Sequence, residues 1–178
     1  LVISTFRKGI GYMSIWKKVC LHHSLTKDGV VADWQAIRRF HTSWRIGGTI
    51  VTEKEAREAI RNGEKNVVAP WLDIGYHFGV EKVNDHYEIL AGRPLNISGA
   101  HCTGQNNIAI GLLFVGNYDI EDPPQEMLLY GAKFLKGLMI ELDIFKDEVY
   151  GHSTFASYKS CPGTKFDVDN FKKLLGRV

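Results

Sequence analysis

A histidine, a lysine and a cysteine share one short stretch near the end of this chain, Gly151-His152-Ser153-Thr154-Phe155-Ala156-Ser157-Tyr158-Lys159-Ser160-Cys161-Pro162-Gly163. A second histidine-bearing stretch, Leu21-His22-His23-Ser24, lies far upstream. Two imidazoles and a thiolate from distant elements make the donor set of a zinc ion that keeps its fourth position open for water. An ion held this way lowers the pKa of its water to about 7 and polarises a carbonyl. Lys159, two residues before Cys161, adds positive charge beside the metal. The chemistry implied is metal-assisted hydrolysis, with His22, His152 and Cys161 as candidate ligands. Cys161 would bind as the thiolate. A cysteine peptidase using Cys161 and His152 as nucleophile and base is the competing chemistry; it predicts inhibition by alkylation and indifference to chelators.

The elements that must position these groups follow from pattern. Ile15 to Leu21 reads as a strand with His22 at its end. Neighbouring strand residues face opposite sides, so one of His22 and His23 faces the ion, and spacing leaves the choice open. Cys20 shares a face with His22 and is expected in the core rather than as a fourth ligand, which would close the site. Asp33 to Ser43 reads as a helix, capped by Asp33 and carrying Trp34, Ile37 and Phe40 at helical spacing. Thr52 to Arg61 is a short polar helix with a Thr52/Glu55 capping box and an Asn62-Gly63 stop. Ile74 to Val83 and His86 to Leu90 form a hairpin around Asn84-Asp85, with His86 solvated in the turn. Ala109 to Val115 is an apolar run of central-strand character, ended by Gly116-Asn117. Asp122-Pro123-Pro124-Gln125 opens the longest helix, with proline in its first turn and Leu128, Leu135, Leu138 and Leu142 as its apolar stripe. Val168 to Leu175 is a last helix capped by Asp167. Alternating strands and helices give an α/β fold, a central mixed sheet flanked by helices, in a single domain over 1–178.

Composition narrows the class. At 178 residues, 44% hydrophobic and 24% charged, the chain can bury a full core and is not of disordered type. A net charge of +2 gives no support to nucleic-acid binding. No apolar run reaches membrane-span length. The first residues, Leu1 to Gly9, lack signal-peptide architecture. Three cysteines are too few, and odd in number, for a disulfide framework.

Longer motifs sharpen the reading. Trp71-Leu72-Asp73-Ile74-Gly75-Tyr76-His77-Phe78 resembles the strand motif of the zinc N-acetylmuramoyl-L-alanine amidases, the family of the phage T7 lysozyme and peptidoglycan recognition proteins. Ile37-Arg38-Arg39-Phe40-His41 resembles the helix before it. Gly92-Arg93-Pro94-Leu95-Asn96-Ile97-Ser98-Gly99-Ala100-His101, Asn107-Ile108-Ala109-Ile110-Gly111 and Phe114-Val115-Gly116-Asn117-Tyr118 continue the resemblance in order. The match runs from about Val19 to Asp167.

The resemblance implies a fold like that of this family and carries roles onto matching positions. His22, the first histidine of its pair, becomes a ligand, with His152 and Cys161. Tyr76 and Lys159 match the catalytic tyrosine and lysine, donors to the oxyanion of the tetrahedral intermediate. His101, His41 and Arg93 are expected along the substrate groove, and His77 in the core. The implied substrate is the amide joining N-acetylmuramic acid to L-alanine in peptidoglycan; the alternative is a non-catalytic muropeptide recognition module of the same fold. The chain departs from the family in having no acidic residue in Ser153-Thr154-Phe155 and a loop from His152 to Cys161 one residue longer than the T7 type. Residues 44–69 read as an insertion that shapes one groove wall, and 1–14 as an N-terminal extension. A monomer acting on the cell wall is expected, secreted or released from the cytoplasm in a phage context, with room for a separate cell-wall-binding domain outside this chain.

Overall fold

The computed structural model describes residues 15–26 and 33–178. The extension expected at 1–14 lies outside the described residues. The centre is a five-stranded mixed sheet in the order β6-β5-β7-β1-β8. Its strands are β1 (Lys18–His23), β5 (Phe78–Val83), β6 (His86–Ala91), β7 (Ala109–Phe114) and β8 (Val149–Gly151). β5, β7, β1 and β8 run parallel, and β6 is the antiparallel edge. The apolar run expected to be central is β7: all six of its residues are buried, as a strand covered on both faces must be.

Helices α1 (Trp34–His41), α3 (Gln125–Leu142) and α4 (Val168–Leu175) pack around this sheet. Caps set their starts. The Asp33 and Asp167 carboxylates accept the N–H groups of Ala36 and Asn170 at 2.6 and 2.8 Å. α3 begins one residue later than its sequence suggests: Pro124 is the cap residue and lies outside the first turn. Leu128 and Leu135 are buried against the sheet, with Leu138 and Leu142 packed at the margin. α1 lays Trp34 over the sheet's other face, among Ile74, Leu113 and Val115.

Strand boundaries also differ from the sequence reading, β1 beginning at Lys18 rather than Ile15. β1 extends through His23, so both histidines are strand residues. β5 begins only at Phe78, leaving Tyr76 and His77 in the approach to the strand. The reason is in the backbone partners. Gly75 and Tyr76 offer their carbonyls to the N–H groups of Ala100 and Arg93, both in loops, at 2.8 and 3.0 Å. Regular pairing with β7 therefore starts downstream.

Residues 44–69 hold more than the expected helix. That helix, α2 (Glu53–Arg61), has the full capping box, with Glu55 accepting from the Thr52 N–H at 2.7 Å. Around it β2 (Trp44–Ile46), β3 (Thr49–Val51) and β4 (Val67–Val68) form a small antiparallel sheet. Strands of two or three residues carry too little alternation to be read from sequence. No described helix is long and apolar enough to cross a membrane.

Candidate metal centre

Parallel pairing of β1 with β8 brings the two histidine stretches together. Leu21 pairs with Gly151, so His22 and His152 leave the same end of adjacent strands. Carboxyl ends of parallel strands are where open α/β sheets place ligands. After His152 the chain makes a short helical turn and folds back, and the Ser153 N–H donates to the Cys161 carbonyl at 2.7 Å. Asp119 secures the returning segment, accepting from the Ser160 hydroxyl at 2.7 Å and the Thr164 N–H at 2.8 Å. The Cys161–Pro162 peptide is cis.

The result is a buried donor triad. One donor atom each from His22, His152 and Cys161 lie within 4.8 Å of one another. Cys161 Sγ stands 3.5 Å from His22 Nδ1. Tetrahedral bonds of about 2.05 and 2.3 Å would set a nitrogen and a sulfur ligand about 3.5 Å apart, so this pair fits a zinc ion. Burial, then the Lys159 charge, lowers the His152 pKa to about 4, and burial drives His22 well below its usual value. Both imidazoles are thus neutral near pH 7, as ligands must be. The Cys161 thiol is pushed up to about 11 by burial, against opposing influences from the His23 N–H and Lys159. Without a metal it keeps its proton.

The triad opens onto a cavity of about 680 Å³ lined by Tyr76, His41, His101, Trp71 and Lys159 among others. Among the described residues no carboxylate lines it. Tyr76 leans on the His22 ring with centroids 5.0 Å apart. Burial, with Cys161 and Cys20 nearby, raises the Tyr76 pKa, so its hydroxyl stays protonated. Lys159 is exposed at the rim, and its charge is felt at His152, His22 and Cys161. Tyr158, 85% exposed, stands beside it.

The structure thus brings His22, His152, Cys161, Tyr76, Lys159, His41 and His101 to one cavity and leaves Arg93 out. The Arg93 guanidinium donates to the backbone carbonyls of Ile74 and Ser98 at 2.9 and 2.8 Å, fastening the segment that carries Tyr76. His41 is less free than a groove residue need be: its Nδ1 accepts from the Gly75 N–H at 3.1 Å and its ring lies on Trp71. His23 turns away from the triad and accepts the Tyr118 N–H at 3.2 Å. His77 is in the core as expected, accepting from the Gly111 N–H at 3.0 Å. His86 is paired with Glu88 at 3.0 Å rather than simply solvated. No residue of 44–69 lines the cavity; that segment reaches it at one remove, through Arg45 stacked over Trp71 and Phe40.

Cys20, His22 and His101 form a second close group. Their polar atoms are already matched. The thiols of Cys20 and Cys102 hydrogen-bond to each other, and His22 Nε2 is 3.0 Å from His101 Nδ1. Trp71 and Asn106 are cavity residues that sequence reasoning left without a role. Asn106 Oδ1 accepts the N–H groups of His101 and Cys102 at 2.9 and 2.8 Å, and only the fold shows it.

Buried neutral histidines make stability pH-dependent. His77 and His101 are held at about 4 and about 3, chiefly by burial, against an ordinary 6.5. Below pH 6.5 the unfolded chain takes up protons that the folded chain refuses, so stability falls as pH drops toward 4. At pH 5 each costs on the order of 2 kcal/mol relative to pH 7.5. Urea midpoints of the metal-free protein should fall markedly between these pH values, and less so in a His77→Gln variant; a flat profile would refute the assignment.

Similar proteins agree with this architecture. The N-acetylmuramoyl-L-alanine amidase LysC from Clostridium intestinale URNW superposes with a TM-score of 0.61 at 22% identity, covering 98% of this chain and 95% of that one. A Drosophila PGRP-LB variant in complex with tracheal cytotoxin superposes with a TM-score of 0.59 at 22% identity, over 86% of this chain and 79% of that one. At that identity the likeness shows the fold. In sequence, peptidoglycan-recognition protein SC2 of Drosophila melanogaster is 34% identical over 95 residues, 53% of this chain and 50% of that protein. Peptidoglycan recognition protein 3 of Mus musculus is 44% identical over 65 residues, 36% of this chain and 18% of that protein. The chain spans half or less of the length of these two relatives. The sequence model of the N-acetylmuramoyl-L-alanine amidase family matches residues 12–164, and this chain belongs to that family.

Proposed function

We propose that this protein is a zinc-dependent N-acetylmuramoyl-L-alanine amidase that hydrolyses the amide between muramic acid and L-alanine in peptidoglycan. The observation that carries the reading is the meeting of a His22, His152 and Cys161 triad with Tyr76 and Lys159 at one open cavity. A zinc ion bound there would supply a Lewis acid and a water of lowered pKa. The chain's own groups do the rest. The cavity receives the lactyl–alanine unit, with Trp71 and His41 as an aromatic wall. The Lys159 ammonium and the Tyr76 hydroxyl, held protonated, donate to the oxygen on which negative charge grows. Tyr76 serves as donor rather than base, because its pKa is raised. The place of action is the cell wall.

A recognition module that binds muropeptide without cutting it is the second reading, favoured by the likeness to peptidoglycan-recognition proteins. Such a module has no need of the thiolate, whereas here Cys161 is buried in place beside both histidines. The test is release of new L-alanine amino groups from purified peptidoglycan, with chelator and then with zinc restored. Chelator-sensitive release rescued by zinc is expected. Muropeptide retained with no release would establish the module instead.

A further inference from the structure

The ligand His22 has two ring nitrogens, and only one of them, Nδ1, lies beside Cys161. That nitrogen serves a metal only if its lone pair is bare, so the ring's proton must sit on Nε2. In water the two neutral tautomers interconvert freely, and in metal sites a partner at the far nitrogen fixes the choice. The usual partner is a carboxylate or a carbonyl. Here it is another histidine. His22 Nε2 stands 3.0 Å from His101 Nδ1, and His101 Nε2 stands 3.2 Å from the Ala109 carbonyl.

The proton positions follow from the far end. A carbonyl oxygen only accepts, so His101 Nε2 carries hydrogen. Its ring is buried with no carboxylate of the described residues in hydrogen-bond contact, and a neutral imidazole with hydrogen on Nε2 has a bare Nδ1. Two nitrogens 3.0 Å apart need one hydrogen between them, and His22 must provide it from Nε2. His22 Nδ1 is then bare and turned toward Cys161.

The fold is shaped around this ring. A Cβ on Gly99 would come within 2.4 Å of the His101 ring, and a Cβ on Gly111 within 2.5 Å. Gly111 is the β7 partner of Cys20, two residues before His22, so the slot for His101 is cut into the strand next to the ligand's own. Asn106 fixes the backbone beneath the ring by accepting the His101 N–H.

We infer that His101 is a positioning residue, which holds His22 in the tautomer that presents Nδ1 to a metal by relaying its Nε2–H to the Ala109 carbonyl. The inference rests on the zinc reading above for its purpose. Its geometry does not depend on amidase activity. Both His101 ring nitrogens are spent on this relay.

The test is long-range nitrogen–proton NMR on the metal-free protein, together with zinc affinity by chelator competition. Wild type should show His22 and His101 each protonated at Nε2 alone at neutral pH. His101→Phe keeps a ring in the slot but removes the acceptor; His22 should become a tautomer mixture and zinc affinity should fall about 10–100-fold. His101→Asn, whose Oδ1 stands where Nδ1 was, should recover most of the loss. Hydrogen on His22 Nδ1 in wild type would overturn the inference without any variant, as would zinc affinity within twofold of wild type in His101→Phe. A protein that shows the single tautomer and binds zinc yet releases no L-alanine would refute the amidase reading and leave the relay intact.

Discussion

Replacing Cys161 by alanine is expected to abolish zinc retention and amide hydrolysis together. The thiolate is the charged member of the triad, and its loss leaves two neutral imidazoles. Outer partners of metal ligands are worth about 10–100-fold in affinity, and a direct ligand should exceed that. Activity should fall by at least about 10³-fold. The variant should still fold. The surrounding loop is held by backbone and side-chain bonds that alanine leaves in place, from Ser153 to the residue 161 carbonyl and from Ser160 and Thr164 to Asp119. A proton signature accompanies the loss. In wild type the thiol, at about 11, must shed its proton to bind metal near neutral pH, while His152, at about 4, has none to shed. Zinc affinity should therefore weaken about tenfold for each unit that pH falls between about 8 and 6. Calorimetry in buffers of different ionisation enthalpy should read one proton released per ion in wild type, and no binding heat in Cys161→Ala. Full zinc occupancy in the variant would remove Cys161 from the triad.

Lys159→Ala and Tyr76→Phe should separate holding the metal from using it. On the proposed reading each removes a donor to the oxyanion, a loss typically worth about 10²–10³ in rate. Neither group is a ligand. Lys159 is exposed at the rim, so its truncation unpacks little. Phenylalanine at position 76 keeps the ring against His22 and loses only the hydroxyl. Both variants should bind zinc within a few-fold of wild type and still bind muropeptide. The drop should fall mainly on kcat, because charge on the carbonyl oxygen develops only in the transition state. Wild-type turnover in either variant would take that residue out of the reaction, and zinc lost along with rate would show that it acts through the metal.

The same residues show how far a sequence reaches here. Helix starts were legible because a cap is a local arrangement: Asp33, Thr52 and Asp167 each satisfy an N–H only a few residues on. β7 was legible because a strand buried on both faces has no polar position to disguise it. β8 and the small sheet of 44–69 were not, since their two or three residues acquire meaning only from a partner strand. The start of β5 was misplaced for a related reason, its first backbone groups being taken by loops remote in sequence.

At the site, the sequence offered donor types and candidates, His152 and Cys161 with either His22 or His23, and the family resemblance chose His22 and added Tyr76 and Lys159, because residue type and motif order are properties of one dimension. The tertiary structure decided which groups meet and what each is left free to do. Arg93 looked like a groove residue, and backbone carbonyls engage it; His41 does line the cavity, but its Nδ1 is taken by the Gly75 N–H. His101 looked like a substrate contact, and both of its nitrogens are taken, one by His22 and one by Ala109. A side chain's role is set by which of its hydrogen-bonding atoms remain unmatched, and that depends on neighbours 79 residues away along the chain, as His22 and His101 are.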